Sequence, residues 1–156
     1  MHLHDIALRL AARAAGPGRL VLVSDAMAAA GMPDGRYQLG SMRVTVAGGV
    51  ARLLEDPADP GRADNSGPGA APGQAAAIGA IAGSTATLAD VVRHAIAAGL
   101  PVPDAVAAAS TTPARVLGLG DRTGALGPGL AADLVVCDDD FRPRAVMRQG
   151  EWLAPP

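Results

Sequence analysis

Arg19-Leu20-Val21-Leu22-Val23-Ser24-Asp25-Ala26-Met27 is the stretch whose reading decides the fold. Leu20 to Val23 is an unbroken apolar run that ends abruptly in a carboxylate. Lacking polar alternation, it fits a strand buried on both faces, as in parallel sheets flanked by helices. In α/β enzymes the C-terminal ends of such strands carry the chemistry, which makes Asp25 a candidate proton-transfer group. Ser24-Asp25 ahead of alanine is equally good N-capping chemistry for a following turn. This segment alone leaves both readings open.

Outward from the run the pattern is that of a β/α protein. Asp5 to Ala15 reads as a helix, with Ile6, Leu8 and Leu10 interleaved with Arg9 and Arg13, and Gly16-Pro17-Gly18 as its stop. Beyond Gly31, Pro33-Asp34-Gly35 is a turn. Arg36 to Leu39 and Met42 to Val46 have strand character, with Arg43 and Thr45 alternating against Val44 and Val46. Gly48-Gly49 is a hairpin turn with Val50 to Leu54 as the return strand. Residues 56–79 are rich in Pro, Gly and Ala, which predicts a flexible insertion. Thr87 then caps a helix from about Leu88 to Ala98, and Pro103 to Ser110 and Pro113 to Leu117 form two shorter ones. Asp133 to Cys137, Ala145 to Arg148 and Glu151 to Leu153 are strands of a small terminal β unit.

Composition bounds the function. The 156 residues are 49% hydrophobic, with one Phe, one Tyr and one Trp, so the core has to be built from small aliphatic groups. All thirteen basic residues are Arg, and the formal net charge is −2 with the charges scattered. No basic stripe points to nucleic acid and no polybasic segment to a membrane. No run reaches the ~18 apolar residues of a membrane helix. The single Cys137 allows no internal disulfide, suits a reducing, cytoplasmic location and is expected as a buried thiol. His94 is expected on the surface. A lone buried strand leaves its N–H and C=O groups unpaired, so the chain is expected to be the C-terminal part of something larger and to fold only marginally alone.

Four segments resemble one family. Val23 to Tyr37, Val-Ser-Asp-Ala-Met-Ala-Ala-Ala-Gly-Met-Pro-Asp-Gly-Arg-Tyr, is similar to the segment around the catalytic aspartate of N-acetylglucosamine-6-phosphate deacetylases. Ile81-Ala82-Gly83-Ser84-Thr85-Ala86-Thr87-Leu88 resembles that family's substrate loop, with the Leu and Thr exchanged. Thr112 to Arg115 and Gly124 to Val136 are similar to the tail shared among metal-dependent amidohydrolases.

The resemblance implies the C-terminal part of a (β/α)8 TIM-type barrel plus strands of a small β-sandwich. Residues 1–55 would hold the last barrel strand, its preceding helix and an inserted hairpin. Residues 56–79 would be the insertion, 80–120 the substrate loop and final barrel helices, and 121–156 the sandwich strands. The implied reaction is hydrolysis of N-acetylglucosamine 6-phosphate to glucosamine 6-phosphate and acetate. In it a divalent metal, zinc or similar, lowers the pKa of a bound water while Asp25 acts as general base and then general acid. Ile81, Ala82 and Gly83 would offer backbone groups to the sugar, Gly83 through close approach. The plain alternative for them is a turn leading to the Thr87 cap.

His2 falls where the family has a substrate-contacting histidine, and His4 receives no role. His2 and His4 imitate the family's His-x-His metal motif, but a helix follows them where that motif needs the first barrel strand. The family's metal ligands, a glutamate and two histidines, have no counterpart in this chain, so no metal residue is assigned. The parent enzyme is expected to be a homodimer, and this chain a partial enzyme inactive by itself. A non-catalytic remnant, the complementing half of a split enzyme, and an amidohydrolase for another amide are the alternatives.

Overall fold

The computed structural model describes residues 3–54 and 78–154. In chain order the elements are α1 (Asp5–Ala15), β1 (Gly35–Leu39), β2 (Met42–Ala47), β3 (Val50–Leu54), β4 (Ile78–Ser84), α2 (Leu88–Ala97), α3 (Val102–Ala109), α4 (Thr111–Val116), β5 (Leu134–Cys137), β6 (Pro143–Arg148) and β7 (Glu151–Ala154). They form two compact units, one from residues 1–24 and 86–156, the other from residues 25–85. The class is mixed α/β with antiparallel sheets.

The first unit is organised around small aliphatic side chains, as the composition requires. Leu8 of α1, Leu22, Ala95 of α2, Ala98, Leu100, and Ala105 and Ala108 of α3 are buried together. The start of α1 is fixed by His4, whose Nδ1 accepts the Ile6 N–H at 3.2 Å, so the histidine left without a role is a helix cap. Thr87 and Asp90 form a capping box on α2: the Thr87 hydroxyl accepts the Asp90 N–H, and the Asp90 carboxylate accepts the Thr87 N–H. Strands β5, β6 and β7 form an antiparallel three-stranded sheet in that order.

Two expectations fail in this unit. Residues 20–24 are not a strand: Leu22 is buried and gives its N–H to Ala108 O at 2.9 Å, but Val23 is 70% exposed. Hydrophobicity makes such a run fit for burial, whereas a ladder needs a neighbouring strand, and among the described residues none pairs with it. Cys137 is exposed, not buried. It sits on β5, which among the described residues is an edge strand paired with β6 alone, and Val135 and Val136 beside it are exposed as well. His94 is half-buried, with Nε2 3.1 Å from Asp5 Oδ1 of α1.

The second unit is a four-stranded antiparallel sheet in the order β1-β2-β3-β4. Period-two alternation sets its faces: Val44 and Val46 are buried, while Arg43 is exposed. Met27, Ala29 and Ala51 join these valines in the core, with Tyr37, Leu39, Leu53 and Ala82 packed against them. The two-residue turn between β2 and β3 needs positive φ at both positions, supplied by Gly48 at 57° and Gly49 at 73°. Ile81 to Ser84, expected as a loop, belong to β4, which pairs with β3 through two register shifts. The insertion expected over 56–79 lies outside the described residues apart from its last two positions, which open β4.

Candidate functional site

Asp25 is an exposed aspartate with φ 51°, in the left-handed region that only glycine enters freely. The backbone that follows it is pinned by one residue of β4. Ser84 donates its N–H to Asp25 O at 2.9 Å, and Ser84 O accepts the Met27 N–H at 2.8 Å, a parallel bridge centred on Ala26. A residue held in left-handed geometry persists only where its surroundings over-determine it. Ser84 does that here from the C-terminal side, through its bonds with Asp25 O and the Met27 N–H.

Gly83 lies against the same segment. A Cβ built on it would sit 3.4 Å from Met27 Cβ and 3.5 Å from Asp25 O, ordinary contacts, so space alone would admit one. Its φ of 123° would not, because side-chain-bearing residues rarely adopt it. Ile81 stands 46% exposed while Ala82 packs toward the core, the alternation of a strand with one outward face. The fold therefore brings Asp25 and Gly83, more than fifty residues apart in the chain, against one another. His2 lies outside the described residues.

The capping reading of Asp25 finds no helix to cap. Residues 28–31 form turns, in which Met27 O accepts the Ala30 N–H at 2.9 Å and Ala29 O accepts the Met32 N–H at 3.1 Å. A cleft of about 440 Å³ in the other unit, lined by Arg9, Arg13, Leu20, Leu100 and Thr112 among others, contains none of the candidate residues.

Sequence reading missed Asp34 and Thr85. Asp34 Oδ2 accepts the Gly48 N–H at 2.7 Å and Oδ1 the Gly49 N–H at 3.4 Å. The Thr85 hydroxyl donates to Gly49 O. Pro33-Asp34-Gly35 was legible as a turn, but partners 14 residues away carry no local signal. Among the described residues no group of three or more His, Cys, Asp or Glu side chains could hold a metal ion. The donors among the described residues do not fit a divalent-metal site.

A model of the amidohydrolase family matches residues 68–153, more than half of the chain, and the chain belongs to that family. It is 38% identical over 154 residues to N-acetylglucosamine-6-phosphate deacetylase of Bos taurus, covering 98% of this chain and 32% of the relative. It is 34% identical over 151 residues to N-acetylgalactosamine-6-phosphate deacetylase of Escherichia coli O157:H7, covering 96% and 34%. Among solved structures it matches an aspartate-to-alanine variant of N-acetyl-D-glucosamine-6-phosphate deacetylase from Mycobacterium smegmatis, in complex with N-acetyl-D-glucosamine-6-phosphate. That match has TM-score 0.75 and 40% identity, covering 99% of this chain and 36% of that one. The chain thus spans about a third of the length of these relatives.

Proposed function

We propose that the chain carries the acid–base and sugar-facing part of a hydrolase that converts N-acetylglucosamine 6-phosphate to glucosamine 6-phosphate and acetate. The observation that carries this reading is the pairing of the Asp25 segment with Ser84, which puts the backbone of a carboxylate-bearing residue beside Gly83. The relatives' names supply the substrate class, a 6-phosphorylated 2-acetamido sugar.

In this reading Asp25 takes a proton from water as the oxygen attacks the acetamide carbonyl carbon. It then gives a proton to the amine nitrogen as the C–N bond breaks, because an unprotonated amine is too basic to leave. Exposed Asp25 is free to meet both partners. Gly83 presents no side chain to the sugar, and backbone groups of residues 81–83 orient it. His2 is a further substrate contact. Residues 20–25 would complete a parallel barrel, and β5 to β7 a small sandwich, when the rest of the family fold is present. The divalent metal that the family implies would be held by that same remainder. A homodimer in the cytoplasm belongs to the same reading; no helix among the described residues is long and apolar enough to cross a membrane.

The test replaces the equivalent third of a full-length relative with this chain and measures acetate release. Asp25→Asn in that chimera should lower kcat by roughly 100- to 10,000-fold with KM little changed. An unchanged kcat would remove Asp25 from the chemistry. In parallel, adding N-acetylglucosamine 6-phosphate to the 156-residue chain should shift the backbone amide signals of residues 81–83, and unmoved signals count against the sugar contact.

A further inference from the structure

We infer that Asp34 and Thr85 are positioning residues that set the backbone conformation at Asp25. The path runs through Asp34, Gly48, Gly49, Thr85 and Ser84, all in the second unit. The Asp34 carboxylate accepts both N–H groups of the turn, Gly48 at 2.7 Å and Gly49 at 3.4 Å. A carboxylate taking two amide donors is a charge-assisted clamp, stronger than a neutral contact. The clamped turn offers Gly49 O to the Thr85 hydroxyl. Thr85 directly follows Ser84, whose N–H and C=O bracket Ala26 by bonding Asp25 O at 2.9 Å and the Met27 N–H at 2.8 Å.

Ser84 is also paired with Val50 across the sheet, at the last registered position of β3 and β4, beyond a register shift. The β3–β4 ladder ends at that pair, so it does not reach Thr85. The Thr85–Gly49 bond ties the end of β4 back to the turn, and Asp34 holds the turn to the loop that leads away from Asp25. The result is a closed ring: Asp25, the loop to Asp34, the Gly48-Gly49 turn, Thr85, Ser84 and back to Asp25. Such a ring restrains the left-handed backbone at Asp25, which local preference disfavours. Its bearing on acetyl removal rests on the deacetylase reading above; the ring itself does not.

Amide hydrogen exchange on the full 156-residue chain tests this. Asp34→Ala and Thr85→Val should each speed exchange at the Ser84 and Met27 amides about ten-fold, as loss of a restraining hydrogen bond does. The protected amides of β2 should change by less than about three-fold. Thr85→Ser, which keeps the donor hydroxyl, should restore the slow exchange. Unchanged rates at Ser84 and Met27, or equal acceleration throughout β1 to β3, would overturn the assignment, the second by making both residues ordinary determinants of folding. Titration of the wild-type chain with N-acetylglucosamine 6-phosphate reports separately. Absent shifts at residues 81–83 would remove the deacetylase reading, while the exchange rates still decide the roles of Asp34 and Thr85.

Discussion

Gly83→Ala should cost the second unit about 2–3 kcal/mol, and the reason is backbone conformation, not crowding. The added methyl meets Met27 Cβ at 3.4 Å and Asp25 O at 3.5 Å, contacts that need no rearrangement. The φ of 123° is the obstacle. Alanine in the left-handed basin near φ +57° already costs about 1–2 kcal/mol, and this angle lies well beyond that basin. Gly31→Ala is the control, because Gly31 has φ 76° and nothing within 4 Å of its added Cβ. Both substitutions stiffen the unfolded chain equally, a gain of about 0.4–1 kcal/mol that cancels in the comparison. Urea unfolding followed on amide signals of β2 and β3 reads the difference. With a slope near 2 kcal/mol/M, typical of small domains, Gly83→Ala should lower the midpoint by about 1 M. A midpoint within about 0.2 M of wild type, or no lower than that of Gly31→Ala, would refute the claim that the angle at Gly83 is enforced.

Asp25→Asn should leave the urea midpoint unchanged, because asparagine tolerates left-handed backbone, whereas Asp25→Ala should cost about 1 kcal/mol; equal midpoints would mean the φ of Asp25 is not held. Thr87→Ala removes the hydroxyl that accepts the Asp90 N–H at 3.3 Å, and should destabilise the first unit by about 1 kcal/mol in the same titration. The Thr87 hydroxyl, with help from Arg93, holds the Asp90 carboxyl below its ordinary value of 3.8. Its stabilisation is therefore complete above that value and lost as pH falls through the lowered one, so Asp90→Asn should flatten the acid limb of stability against pH. Zinc added to the 156-residue chain alone should yield no acetate from N-acetylglucosamine 6-phosphate, since the described residues gather no metal-binding cluster; measurable metal-dependent release would contradict that.

What the sequence made legible was local. Helix α1 runs over Asp5–Ala15, the span its periodicity and Gly16 stop predict, because both signals lie within a few residues of the ends they mark. The Gly48-Gly49 turn was legible for the same reason, since positive φ at two successive positions is a property of the dipeptide. The failures are non-local. Leu20 to Val23 has a strand's hydrophobicity, and Leu22 is buried, yet pairing depends on partners that composition cannot supply. Ile81 to Ser84 was expected as a loop from its resemblance to the family's substrate loop, but β3 offers it a ladder from some thirty residues upstream. Cys137 has an apolar neighbourhood in sequence and an exposed one on an edge strand.

Asp25 joins the two kinds of information. Its identity and its small neighbours were legible, and they alone made it a candidate acid. What distinguishes it from any exposed aspartate is its left-handed backbone, held on its C-terminal side by a serine fifty-nine positions later and steadied by a turn between them. An isolated Leu20–Gly35 peptide would contain the same residues and would lose that conformation, because the bonds from Ser84 and Gly48 would be absent. Strain at Asp25 of order 1 kcal/mol persists only while those bonds, each worth about as much, hold the backbone that follows it. The geometry of the candidate acid is thus a property of the β1 to β4 sheet, and a substitution at Thr85, whose side chain makes no bond to Asp25, should move it.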